Sequence, residues 1–66
     1  MYNYRPLREH LRTHGMSVKG LMREVGFSTN VAVALNNERP VTIEMLAKIC
    51  YHLHIPIEEV VHIEMD

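Results

Sequence analysis

The chain stops and restarts helices at short intervals, and that punctuation constrains its fold more than any other feature. Gly15 is followed by Ser17, Gly26 by Ser28, and the Asn36-Asn37 pair by Thr42. Gly15 and Gly26 are helix stops, the asparagines tolerate the left-handed backbone that ends a helix, and the serines and threonine are good N-caps for the next one. The sequence therefore predicts a first helix over residues 5–14, with Pro6 in its first turn and Leu7 and Leu11 four apart on one face. A second spans residues 18–25, where Val18, Leu21, Met22 and Val25 fall at helical spacing. The third starts at its cap Ser28 and ends at Asn36 or Asn37. Thr42 caps a fourth that reaches about residue 54, with Ile43, Leu46, Ile49, Cys50 and Leu53 as its apolar stripe. A brief fifth begins at Pro56 and places Glu58 and Glu59 where carboxylates favour the helix dipole. Both ends alternate instead, as "YNY" at residues 2–4 and as "VVHIEM", with Val61, Ile63 and Met65 on one side. The expected fold is all-α, five short helices in a single domain over residues 1–66, with short extended N- and C-terminal tails.

The third helix carries an oddity. Val31, Ala32, Val33, Ala34 and Leu35 follow one another, and only one edge of so short a helix can face a core. Some of that run stays apolar and exposed.

A chain of 66 residues buries only about 60% of its unfolded surface, so a partner subunit would add to its stability. With 47% hydrophobic and 23% charged residues, the balance is that of a folded globular domain rather than a disordered tail. No apolar run approaches the ~20 residues of a membrane helix, and "MYNYRPLREH" lacks the apolar stretch of a signal peptide. A cytoplasmic protein is the expectation. The single Cys50 sits inside an apolar pattern, as a small buried hydrophobe does. The formal net charge of −1 hides an asymmetry: residues 1–39 carry +3 and residues 40–66 carry −4. An anionic partner would be met by the first half and repelled by the second.

Chemistry other than binding finds little support. His10 and His14 are four apart, as two zinc ligands would be, but no third ligand stands near them in sequence, and His52, His54 and His62 have no metal spacing. Surface histidines are the expectation, with no metal and no cofactor. Tyr2, Tyr4 and Tyr51 read as covers for a small core rather than stacking platforms. No nucleophile stands in an activated setting, which points away from an enzyme.

The pattern Leu21-Met22-x-x-Val25-Gly26-Phe27-Ser28, then x-x-x-Ala32-x-x-Leu35-Asn36-Asn37, resembles the helix-turn-helix of the phage repressor and Cro family in its small bacterial form, the XRE-like regulators. With "TIEMLAKICYHLHIPIEEVV" resembling that family's closing helices, the likeness covers almost the whole chain. It implies a lambda-repressor-like domain with its motif at about residues 17–36, and a sequence-specific DNA-binding regulator of the repressor kind. Residues 28–36 would then be the recognition helix in the major groove. Met22 stands where the family usually has alanine, and Ala32 where it has a branched aliphatic, a paired exchange that keeps core volume.

Carried over position by position, the resemblance implies that Thr29, Asn30, Val33 and Ala34 face the groove floor. Asn30 would bond an adenine edge, Thr29 would hydrogen-bond or present its methyl group, and Val33 and Ala34 would touch thymine methyls. Ser17, Lys19, Ser28, Asn37 and Arg39 would hold phosphates. Glu38 stands where the family has glycine, and its carboxylate would oppose DNA. The family's paired half-sites imply a homodimer, and the apolar edge of Val61, Ile63 and Met65 is the expected interface. The competing reading is a protein interaction module, an antitoxin or phage-type inhibitor, that docks through the apolar face of the same third helix.

Overall fold

The computed structural model describes residues 1–65. Four α-helices follow one another, α1 (Arg5–Thr13), α2 (Val18–Val25), α3 (Thr29–Asn36) and α4 (Ile43–Leu53), flanked by the short strands β1 (Tyr2–Asn3) and β2 (His62–Ile63). The caps form as the sequence indicates. The hydroxyls of Ser17, Ser28 and Thr42 accept the backbone N–H groups of Gly20, Val31 and Met45 at 3.0, 3.3 and 3.2 Å.

The helix ends hold one surprise. Gly15 takes φ +69°, and the Met16 N–H closes back on the Leu11 carbonyl at 2.7 Å, the six-to-one bond of a Schellman stop. Gly26 is likewise left-handed, at φ +89°. At the end of α3 the expected left-handed asparagine is absent. Asn37 has φ −126°, and Glu38 takes the left-handed turn at φ +57°. Asn37 closes the last turn from the side, its amide nitrogen donating to the Val33 carbonyl at 2.8 Å. The Arg39 N–H then reaches the Ala34 carbonyl at 3.0 Å, so the stop falls one residue later.

Two further expectations change. The fifth helix is a single 3-10 turn, Ile57–Glu59. Val60, completely buried, must leave the helical path to enter the core, and this turn packs against both α1 and α4. The fold is therefore predominantly helical rather than all-α, because the tails pair with each other: β1 and β2 run antiparallel, Tyr2 opposite Ile63 and Asn3 opposite His62.

Tyr4, Leu7 and Leu11 meet Leu21, Leu35, Ile49 and Val60 in the interior, with Phe27 filling the turn between α2 and α3. Met22 and Ala32 both lie half-buried against this cluster, large on one helix and small on the other. Of the tyrosines only Tyr4 is core, whereas Tyr2 is 39% and Tyr51 74% exposed. Cys50 is half-buried and burial pushes its thiol pKa up, which suits an inert small hydrophobe. His10 and His14 stack, ring centroids 4.3 Å apart.

Candidate nucleic-acid interface

Because α3 advances 100° per residue, its eight residues and the C-cap Asn37 divide into two sides. Leu35 is completely buried, Ala34 nearly so, and Val31 and Ala32 pack at the edge of the core. Thr29, Asn30, Val33, Asn36 and Asn37 are exposed, and their positions around the helix form one continuous face. That face is uncharged. Val33, 45% exposed, sits at its centre between hydroxyl and amide side chains, so the apolar residue left over from the run at 31–35 is this valine.

Ala34 corrects the sequence reading. At 7% exposure its methyl group lies against the protein, and it offers no surface to a groove. From the helical period alone Ala34 and Leu35 are adjacent flanks, and the pattern did not say which would turn inward. Asn36 is exposed on the same face, three residues on from Val33 and seven from Thr29.

In residues 1–39 every acid has a partner while four cations do not. Glu9 is paired with Arg12 at 2.9 Å, Glu38 with Arg8 at 2.5 Å, and the His52 imidazole lies 2.8 Å from Glu24, joining α4 to α2. Arg12 holds the Glu9 carboxyl below the usual carboxylate range by hydrogen bond and charge. These are all the acids of residues 1–39. Arg5, Lys19, Arg23 and Arg39 make no ion pair among the described residues, and all four side chains belong to exposed residues. Neither α2 nor α3 has an acid in its first turn, so the positive ends of both dipoles stay unopposed beside Ser17, Lys19 and Ser28.

Glu38 is the second correction. Its two carboxylate oxygens are both engaged within the protein, one by Arg8 and the other by the Tyr4 N–H at 3.1 Å. Nothing in the local sequence signals this, since the partners lie 30 and 34 residues away. The side chain is tied to α1 and does not stand as a free negative charge beside Arg39.

Two capped helices joined by the tight left-handed turn at Gly26, the first with Lys19 in its first turn and the second with an uncharged exposed face, define a helix-turn-helix domain. The model of the Cro/C1-type HTH DNA-binding domain matches residues 6–66, and the chain belongs to that family. No curated protein and no solved structure matches the chain. It is thus a helix-turn-helix protein of the DNA-binding, transcription-regulating kind. No helix of the described residues is long and apolar enough to cross a membrane.

Proposed function

We propose that the protein is a sequence-specific regulator of the repressor kind that lays α3 in the DNA major groove as a homodimer. The observation that carries this is the uncharged exposed face of α3, in a domain where the starts of α2 and α3 are free of first-turn acids and Lys19 and Arg39 make no ion pair among the described residues. Amide and hydroxyl groups suit base edges and an exposed methyl suits thymine, while cations and free N–H groups suit phosphates. Thr29, Asn30 and Val33 read bases. Ser17, Lys19, Ser28, Asn37 and Arg39 hold the backbone, Asn37 with the amide hydrogen that Val33 does not take.

The dimer is proposed through the terminal strands. Ile63 and Met65 are 53% and 86% exposed, and the side of β2 away from β1 has no strand partner among the described residues. A two-fold mate on that edge would cover both and set two α3 helices about 34 Å apart, one DNA turn. Val61 already leans on its own core and contributes less. Light scattering on Ile63→Glu tests this without touching a buried side chain: the expected result is a monomer, and an undiminished dimer places the interface elsewhere.

Selection of bound sequences from random duplex DNA tests the function. A palindrome is the expected product, with a logarithmic salt slope for the dimer of about −5 to −9. An empty selection rejects the reading in favour of a protein interaction module, for which the central exposure of Val33 is the supporting observation. In that case Val33→Glu abolishes partner binding.

A further inference from the structure

Four hydrogen bonds run from the start of α1 to the end of α3. Arg8 donates through Nη1 to the Leu35 carbonyl at 2.6 Å and to Glu38 Oε1 at 2.5 Å. Tyr4 donates its N–H to Glu38 Oε2 at 3.1 Å and its hydroxyl to the Arg39 carbonyl at 2.6 Å. All four converge on the final turn of α3 and the residues just past it. Tyr4 is completely buried, so this end of the clamp is anchored in the core.

Glu38 is in left-handed backbone at φ +57°, a conformation that favours glycine. The backbone therefore gives no reason for a glutamate, whereas the carboxylate is fully used. It ends α3 and at the same time accepts from the backbone of Tyr4, the N-cap of α1, whose own side chain makes no cap bond.

We propose that Tyr4, Arg8 and Glu38 are positioning residues for DNA binding, fixing the turn at residues 37–39 and hence where Asn37 and Arg39 meet phosphate. This rests on the DNA-binding reading above. It also fixes a sign. A carboxylate that merely sat near phosphates would repel them, and neutralising it would tighten binding. A carboxylate that holds the turn does the reverse.

The test uses the intact protein, the duplex that wild type enriches, a scrambled duplex of equal length, and the variants Glu38→Gln, Arg8→Met and Tyr4→Phe. Glu38→Gln is expected to weaken the enriched duplex about tenfold, on the scale of a lost charge-assisted hydrogen bond. The double variant Arg8→Met with Glu38→Gln should lose little more than either alone, because the two act as one unit. The salt slope of Arg8→Met should match wild type, since the guanidinium neutralises Glu38 and not a phosphate. By hydrogen exchange the Arg39 amide should speed up in each variant by a larger factor than the Ile49 amide, which sits in the core and reports the global loss of stability. A merely global loss would speed both by the same factor.

Tighter binding of both duplexes by Glu38→Gln overturns the proposal, as does a slope reduced by about one for each subunit in Arg8→Met, which would make Arg8 a phosphate contact. If wild type enriches no duplex, the DNA reading falls and the DNA role of these residues with it. Exchange then still decides the clamp: a larger rise at Arg39 than at Ile49 in Arg8→Met upholds it, and an equal change at both, or none at Arg39, overturns it.

Discussion

The starts of α2 and α3 use the same capping chemistry as the start of α4, a hydroxyl accepting an N–H three residues on, but the charge placed around them differs. α4 carries Glu44 in its first turn and the 3-10 turn after it carries Glu58 and Glu59. α2 and α3 carry none. A carboxylate in the first turn answers the helix dipole from within the chain; without one, the positive end is left for an anion from outside. The opposite charges of the two halves are thus distributed element by element, with internal answers at α4 and the 3-10 turn and open starts at α2 and α3.

The largest effect should separate the two sides of α3. Leu35→Ala removes a completely buried side chain and should cost about 2–5 kcal/mol in urea unfolding. Val33→Ala on the exposed side should stay within about 0.5 kcal/mol. Equal losses would mean that the exposed side is packed after all.

Next in size, Asn30→Ala should cost about 1–3 kcal/mol on the enriched duplex and relax its sequence preference. Equal loss on a scrambled duplex would remove Asn30 from base reading.

Tyr4→Phe deletes the hydroxyl bond to Arg39 and should cost about 0.5–1.5 kcal/mol at neutral pH. Burial pushes the Tyr4 phenol above its ordinary value, so the folded state keeps a proton that the unfolded chain gives up. The associated stability is present below about pH 10 and is lost as pH rises through the folded value. Alkaline titration of unfolding should show that fall in wild type and a shallower one in Tyr4→Phe.

The smallest effects bear on the helix starts themselves. Glu44→Gln should lower stability by about 0.3–1 kcal/mol and leave the DNA salt slope unchanged. Lys19→Ala should leave stability unchanged, weaken every duplex alike, and reduce the slope by about one for each subunit. The opposite pattern would abolish the distinction between the two kinds of start.

Most of the architecture was legible because its signals are local. Ser17, Ser28 and Thr42 announce caps through bonds that span three residues, and Gly15 and Gly26 announce stops at the positions they occupy. The family pattern around Gly26 was legible for the same reason. What escaped depends on distant partners. Glu38 looked like an opponent of DNA because Arg8 and Tyr4, which occupy its oxygens, are remote in sequence. Ala34 was expected in the groove because the resemblance carried a base-reading position onto it, whereas the absolute rotation of so short a helix is set by packing, which turns Ala34 inward. The fifth helix shrank to a turn because the demand of the core for Val60 overrode the favourable acids at its start.

The terminal ladder has a topological consequence. The Met1 amine donates to the Glu64 carbonyl at 2.8 Å across 63 positions of chain, and the Glu64 N–H returns the bond to Met1. Everything between is drawn into a ring. Closing so long a loop for two-residue strands offers few contacts against a large entropy, so this seam should form last in folding and open first. Joining the ring covalently, with new ends cut in the turn at Gly15, should leave the helices in place. The chain therefore enters and leaves the described residues at the same corner, beside Ile63.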